Sequence, residues 1–249
     1  MPRFFVESAQ INDGFVYIRG DDARHISRSL RMAKGDYVIV CDMQSVEYGC
    51  ILKDFFDDCV TAQIVSSRKS DKEPPFYVHL YQAMIKGEKL DFVIQKAVEC
   101  GVFSVTPFNS ERCVAREAVT DETKLKRRNR ISLEAAKQSG RGIVPAVNRT
   151  VSFDKMTGLA VNSDIALFCY EGEGTEPLKK VLREIVKNKI VNKIPVISVI
   201  TGCEGGFTQS EVKKAEDSGM ILTGLGKRIL RAETASCFVL GCLVYEFEL

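Results

Sequence analysis

The sequence predicts an α/β protein in which a small β-rich domain precedes a larger domain with a parallel sheet. Short β segments separated by turn signals fill about the first seventy residues. Later in the chain, strands alternate with helices, and this alternation predicts a mainly parallel sheet covered by helices. The length of 249 residues fits one large domain or two smaller ones, and a hydrophobic content of 45% predicts a genuine core.

The first domain is predicted over residues 1–70. Its turn signals are Asn12-Asp13-Gly14 and Lys34-Gly35-Asp36, and short strands between such turns are typical of a small barrel. The polar segment 66–75, which ends in Pro74-Pro75, is the best linker in the chain. The predicted strands are 3–6, 15–18, 37–41, 47–53 and 60–64, and a helical segment is predicted at 22–30.

The second domain is predicted over residues 76–249. In open α/β sheets, ligands bind beyond the carboxyl ends of the strands, so the loops after these strands should hold the functional site. The predicted strands are 77–83, 102–107, 164–169, 195–200 and 220–224, and the predicted helices are 89–100, 121–139, 177–188, 209–218 and 232–247.

The composition disfavours several classes of protein. The longest apolar stretches, 194–200 and 237–244, are far shorter than the roughly 20 residues of a membrane span. Residues 1–9 lack the features of a secretory leader, so we expect a cytoplasmic protein. Nine cysteines without a CxxC pair indicate buried free thiols, and two histidines give little basis for a zinc site, so no metal is expected.

Positive charge is concentrated in one segment, although the net charge of the chain is only +2. Segment 112–149 holds ten Lys or Arg residues against four acidic ones. Such a stretch predicts contacts with nucleic-acid phosphates, and a solvated helix face is the alternative.

Three loops that follow predicted strands are candidates for the functional site. The first loop, Thr201-Gly202-Cys203-Glu204-Gly205-Gly206-Phe207, precedes the capping box Thr208-Gln209-Ser210-Glu211. Its glycines permit close approach of a ligand, and a tight structural connection is the alternative. The third loop, 168–174, also follows a buried strand.

The second loop, 225–235, alternates apolar residues with bases. Leu225, Ile229 and Leu230 offer apolar walls for a flat ring, and Arg228 or Arg231 offers positive charge to an anion. Glu233 and Thr234 have an alternative role as caps of the following helix. The chain lacks both the P-loop and the full dinucleotide fingerprint, which disfavours ATP and NAD enzymes.

Several separate motifs occur in an order that matches one known family. They run over nearly the whole chain: Pro2-Arg3-Phe4-Phe5-Val6, His25 with Leu30-Arg31, Lys34-Gly35-Asp36, Gln95-Lys96-Ala97-Val98-Glu99-Cys100-Gly101-Val102, Ser110-Glu111-Arg112, Glu134-Ala135-Ala136-Lys137-Gln138-Ser139-Gly140-Arg141, and the first and second loops at 201–206 and 225–230, which we call the two glycine loops. In these residues the chain resembles the RsmE family of 16S ribosomal RNA uridine-N3 methyltransferases, within the SPOUT superfamily. It departs from that family at Cys203, where proline is usual, at Ala232, where threonine is common, and at Asn129, where an aromatic residue often stands.

The resemblance implies a PUA-like β-barrel RNA-binding domain at 1–70 and a trefoil-knotted SPOUT methyltransferase domain at 76–249. The pattern of strands and helices alone would give an unknotted sheet. The resemblance also implies S-adenosylmethionine as cofactor, 16S ribosomal RNA or the small ribosomal subunit as substrate, and a homodimer that completes the active site. The residues that match the cofactor loops are Phe168, Glu171, Ile200, Thr201, Gly202, Glu204, Gly205, Gly206, Leu225, Gly226, Ile229 and Leu230.

The N3 methylation that the resemblance implies indicates candidate catalytic residues, and positive charge indicates the RNA contacts. The imide proton must leave, and negative charge develops on the uracil oxygens, so Arg231 is predicted to stabilise that charge. Glu233 or Glu204 is predicted to accept the proton. The predicted RNA contacts are Arg3, Arg31, Lys34, Arg112, Lys126, Arg127, Arg128 and Arg141.

Two other functions fit the same residues. One is a SPOUT methyltransferase that acts on a different RNA or a different atom, and the other is an RNA-binding module without catalysis. Binding of S-adenosylmethionine separates them, because the module should not bind it. A nucleotide hydrolase is disfavoured for want of a phosphate-loop lysine and metal-binding carboxylates.

Overall fold

The computed structural model describes residues 1–117, 121–187 and 194–249 and divides into two compact units. The first unit comprises Met1–Glu73 and Ala136–Val144, and the second comprises Pro74–Ala135 and Pro145–Leu249. Helix α3 (Glu122–Ser139) therefore contributes its last residues to the first unit.

The first unit is built on a six-stranded sheet with the order β1-β4-β5-β6-β3-β2. β1 pairs with β4 in parallel, and the other neighbours are antiparallel. No pairing among the residues described here closes the sheet, so the predicted small barrel is not confirmed. The strands are β1 (Arg3–Phe5), β2 (Ile11–Asn12), β3 (Phe15–Arg19), β4 (Tyr37–Cys41), β5 (Val46–Phe56) and β6 (Cys59–Lys69).

Alternation of apolar and polar residues gives this sheet one buried face. Val16 and Ile18 of β3 pack in the same core as Val38 and Val40 of β4. The predicted linker is partly wrong, because β6 continues to Lys69 and pairs with β5 as far as Val46. Its last residues are polar and exposed, and this composition hid the strand. The predicted helical segment is split into α1 (Asp21–Arg24) and a wider π-helical turn, His25–Ser29.

The second unit contains an all-parallel sheet with the order β10-β8-β7-β13-β11-β14-β12, and β9 pairs with β8. The predicted parallel sheet is confirmed, and each of the five predicted strands is present. Three two-residue strands were not predicted, because such short pairings leave no pattern in the sequence. The strands are β7 (Tyr77–Ala83), β8 (Ser104–Asn109), β9 (Ala146–Val147), β10 (Val151–Ser152), β11 (Ile165–Cys169), β12 (Glu176–Pro177), β13 (Val196–Thr201) and β14 (Ile221–Gly224).

Helices connect these strands, as the alternating pattern predicts. The unpredicted helix α4 is capped by Ser152, whose side chain accepts a hydrogen bond from the backbone N–H of Lys155. The predicted end of α5 at residue 188 lies outside the described residues. The helices besides α3 are α2 (Lys89–Glu99), α4 (Phe153–Ala160), α5 (Leu178–Lys187), α6 (Gln209–Asp217) and α7 (Ala232–Phe247).

The strand order places the carboxyl ends of β7, β13, β11 and β14 side by side along one edge of the sheet. β13 lies between β7 and β11, with Thr201 in register with Gln82, and Cys169 at the end of β11 is in register with Thr223 of β14. Because all four strands run in the same direction, the loops that follow them leave from the same edge.

All nine cysteines are free thiols. Five are buried and the other four are half-buried. Over the described ranges, no helix has the length and apolarity of a membrane span. In the same residues, no cluster of three or more His, Cys, Asp or Glu side chains forms a metal-binding group.

Candidate functional site

A buried amide anchors the first glycine loop. The Gln82 side chain is fully buried, and its Nε2 donates to the carbonyl oxygens of Ala83 at 2.9 Å and Gly202 at 3.0 Å. Its Oε1 accepts hydrogen bonds from the hydroxyls of Thr201 at 3.0 Å and Ser236 at 2.5 Å. The side chain is therefore fully satisfied, and it joins the ends of β7 and β13 to Ser236, near the start of α7.

The first glycine loop has a tight backbone. Gly206 has φ +65°, and its N–H donates to the carbonyl oxygen of Cys203 at 3.0 Å. A Cβ at Gly205 would lie 3.1 Å from Cβ of Arg112 and 3.2 Å from its carbonyl oxygen, so a larger residue here would require the loop or Arg112 to shift by a few tenths of an ångström. Arg112 Nη1 in turn donates to the Gly205 carbonyl at 3.2 Å. The predicted capping box of α6 is confirmed between Thr208 and Glu211.

Two of the three predicted catalytic residues meet at a lysine that the sequence analysis did not identify. Lys89 Nζ lies 3.8 Å from Glu204 Oε1 and 3.4 Å from Glu233 Oε1. The backbone N–H of Lys86 also donates to Glu204 Oε1, at 3.2 Å. These contacts join the first loop and the start of α7 to the start of α2.

Arg231, the third predicted catalytic residue, is exposed at the N-cap of α7. A guanidinium has only donors and cannot cap the N–H groups of the helix, and Arg231 contacts α7 through its backbone carbonyl, which accepts from the N–H of Ala235 at 2.8 Å. Glu233 Oε2 differs, because it is shielded from solvent and has no hydrogen-bond partner within the described ranges.

The second and third loops provide different kinds of surface. In the second loop, Ile229 is 82% exposed, while Leu225 and Leu230 are half-buried. An exposed isoleucine beside half-buried leucines leaves apolar surface available for a flat ring. In the third loop, Glu171 is exposed, and the backbone N–H of Tyr170 donates to the Thr223 carbonyl at 3.0 Å.

Two predicted cofactor-binding residues belong to the core instead of the surface. The side chains of Phe168 and Ile200 are fully buried inside the sheet. Phe168 packs against Phe207 with ring centroids 4.3 Å apart. Phe168 lies on β11 and Ile200 on β13, and both strands are buried on both faces. Only the backbone atoms of these two residues therefore remain available to a ligand. A third predicted member, Thr201, is the last residue of β13 and is also fully buried, with its hydroxyl bonded to Gln82. The other predicted members, Gly202, Glu204, Gly205, Gly206, Leu225, Gly226, Ile229 and Leu230, lie on the loops that follow β13 and β14.

Cys113 and Cys203 form a buried thiol cluster with Ser110, and Cys203 belongs to the first loop. The Ser110 hydroxyl lies 3.2 Å from Cys113 Sγ and 3.8 Å from Cys203 Sγ. A hydrogen bond from Cys113 lowers the pKa of Cys203 to about 6, while the same bond together with burial raises the pKa of Cys113. These residues are far apart in the sequence, so no local spacing indicated the cluster.

Three of the predicted RNA contacts are structural ion pairs. Arg128 is buried and donates two hydrogen bonds to the carboxylate of Glu117, at 2.8 and 2.7 Å. In the first unit, Arg141 is buried against Glu73, and Arg3 donates to Glu47 Oε1 at 2.7 Å. Burial raises the pKa of Glu117, but the Arg128 hydrogen bonds and charge outweigh it and lower that pKa. Such buried guanidinium groups are not presented to a phosphate.

The remaining predicted RNA contacts are exposed: Arg31, Lys34, Arg112, Lys126 and Arg127. Lys34 lies 3.5 Å from Asp54, and Arg127 pairs with Asp91. Since exposed ion pairs contribute roughly 0–1 kcal/mol, these cations can exchange their partners for phosphates at little cost.

Comparison with known proteins gives one consistent family. A family model described as an RNA methyltransferase domain matches residues 72–244. The chain is 31% identical to the ribosomal RNA small subunit methyltransferase E of Bacillus subtilis, over 100% of this chain and 98% of that protein. The protein of the same name in Mesomycoplasma hyopneumoniae is 33% identical, over 96% of this chain and 97% of its own length.

A solved structure is similar over the same extent. It is the ribosomal RNA small subunit methyltransferase E of Neisseria gonorrhoeae bound to S-adenosyl methionine, with a TM-score of 0.81 and 27% identity. The match covers 98% of this chain and 97% of that one.

Proposed function

Since the chain belongs to the RNA methyltransferase domain family, we propose that it methylates N3 of a specific uridine in 16S ribosomal RNA, using S-adenosylmethionine. The observation that carries this proposal is the convergence of two glycine loops at one sheet edge, joined through Lys89 to Glu204 and Glu233. The small ribosomal subunit, in the cytoplasm, is the proposed substrate.

The residues of the two loops fit the cofactor. Gly205 packs closely against Arg112, which fixes the path of the first loop, and Ile229 offers exposed apolar surface for an adenine ring. Glu233 Oε2 is an acceptor without a partner in the described part of the chain, and it matches a ligand that carries N–H donors. When bound, S-adenosylmethionine supplies an electrophilic methyl group.

The chain's own residues then act on the uracil. The exposed guanidinium of Arg231 stabilises the negative charge that develops on the uracil oxygens. A carboxylate oxygen of Glu233 or Glu204 accepts the proton from N3. Arg31, Lys34, Arg112, Lys126 and Arg127 contact RNA phosphates and orient the substrate.

The finer architecture is also part of the proposal. We infer a PUA-like barrel in residues 1–70 and a trefoil knot in the methyltransferase domain, 76–249. We also infer a homodimer, for which α7 provides an interface. Phe238 and Tyr245 are 44% and 71% exposed and are seven residues apart, so they share one helix face with Gly241. An exposed apolar stripe of this kind is typical of a surface that packs against a partner.

A methyl-transfer assay tests the proposal. The protein is incubated with labelled S-adenosylmethionine and small ribosomal subunits that lack the native modification, with large subunits as control. We expect label in the small-subunit RNA, and the Arg231→Ala variant should bind the cofactor normally but transfer roughly 10²–10³-fold more slowly. Label confined to another RNA would indicate the retargeted methyltransferase. Absence of both transfer and cofactor binding would indicate the RNA-binding module.

A further inference from the structure

Lys89 is the single cation in contact with both acidic candidates of the site, among the residues described. It is the first residue of α2, Glu204 lies on the first glycine loop, and Glu233 lies in the first turn of α7. The three side chains are 37%, 34% and 16% exposed, respectively. One ammonium thus connects three segments that are more than 25 residues apart in the sequence.

Removal of this ammonium would leave two carboxylates, each with an oxygen within 4 Å of the vacated position of Nζ, without the cation between them. Among the described residues, Glu204 would keep the backbone N–H of Lys86, and Glu233 Oε1 would lose its ion-pair partner. Like charges at a partly buried site repel, so the two loops would separate. Lys89 therefore holds the carboxylates in their present positions.

The two oxygens of Glu233 have different surroundings. Oε1 faces Lys89, whereas Oε2 is shielded from solvent and has no partner in the part of the chain that the structure describes. A shielded carboxylate oxygen without a partner is costly, and proteins retain such groups mainly where another molecule provides the donor. Lys89 fixes which of the two oxygens remains available.

We propose that Lys89 is a positioning residue that couples the two cofactor loops through Glu204 and Glu233 and leaves Glu233 Oε2 to accept an N–H donor of the bound ligand. The donor is either the amino group of S-adenosylmethionine or the imide N–H of the uracil. The identity of the ligand rests on the proposed function, whereas the coupling of the loops does not.

Hydrogen exchange without ligand tests the coupling. Lys89→Met removes the ammonium and keeps a good helix former, Lys89→Arg restores a cation, and Lys86→Met is the control because only its backbone contacts Glu204. We expect amides of 201–206 and 225–235 to exchange about three- to tenfold faster in Lys89→Met, as for the loss of one or two partly exposed ion pairs. Lys89→Arg should recover most of the protection. Unchanged exchange in Lys89→Met, or an equal change in Lys86→Met, would overturn the proposal.

Glu233→Gln identifies the donor. Weaker cofactor binding by calorimetry, with an unchanged single-turnover rate at saturation, indicates the amino group. Unchanged binding with a slower rate indicates the imide. If neither quantity changes, Oε2 has no ligand and that half of the proposal is wrong. A wild-type protein that binds cofactor but leaves small subunits unlabelled would contradict only the proposed function.

Discussion

Arg128→Met should destabilise the fold far more than it weakens RNA binding. In the native protein, the Glu117 carboxylate is 4% exposed and is held by Arg128, by the Thr150 hydroxyl at 2.9 Å and by Lys124 at 3.4 Å. Removal of Arg128 leaves a buried carboxylate without its two strongest donors. The loss of one partner from a buried pair costs about 3–5 kcal/mol, which corresponds to a melting temperature lower by roughly 6–20 °C.

Urea and thermal unfolding measure this cost, and Arg127→Met is the matched control. Arg127 is 61% exposed, so its pair with Asp91 should contribute less than about 1 kcal/mol, while its removal should weaken RNA binding and reduce the salt dependence. Because the pKa of Glu117 is lowered on folding, its carboxylate stabilises the folded protein fully at pH values above 4.5, the ordinary pKa of a glutamate. This contribution is lost as the pH falls through the lowered pKa of the folded state. If Arg128→Met retained full stability but lost RNA affinity, the structural assignment of Arg128 would be refuted.

Three further predictions concern the first glycine loop. Cys203 should be a thiolate above about pH 6, so the ultraviolet absorbance of its thiolate should appear near that pH. In Cys113→Ala, which lacks the hydrogen bond from Cys113, the absorbance should appear at higher pH. A midpoint above pH 8 in the native protein would contradict this prediction. Gly205→Ala should displace the loop from Arg112 and weaken S-adenosylmethionine binding about tenfold, measured by calorimetry, with little effect on the melting temperature. Unchanged affinity would show that Arg112 moves aside and leaves the loop in place. Gln82→Leu should cost about 2–5 kcal/mol in urea unfolding, because it leaves several buried hydrogen-bonding groups unpaired, and a cost below 1 kcal/mol would show that these groups find other partners.

The sequence predicted the parallel sheet well because its strands are continuous apolar runs between helices. The run 196–200 forms the buried centre of β13, and the helix 232–247 was predicted with its observed bounds. The end of β6 could not be predicted, because Arg68 and Lys69 show no apolar alternation, and their position depends on pairing with β5 and on the ion pair of Arg68 with Glu47. Pairing between distant segments is invisible to a local pattern.

The contacts that join the predicted loops could not be read from the sequence. Glycines and charged residues marked both loops, but Lys89, Gln82 and Ser110 lie on other elements and reach the loops only in the folded chain. In the basic segment 112–149, the sequence predicted an RNA contact at an arginine that is buried. Local charge does not distinguish Arg128, which is buried against Glu117, from the exposed Arg127 next to it.

Mapping the methylated nucleotide, and the atom of it that carries the methyl group, tests the proposed N3 methylation of 16S RNA. Small-subunit RNA treated with the protein and labelled S-adenosylmethionine is digested to nucleosides and fragments and analysed by mass spectrometry. We expect one labelled site, a 3-methyluridine, in 16S RNA. A label on any other base, on another atom of uridine or at many scattered sites would contradict it.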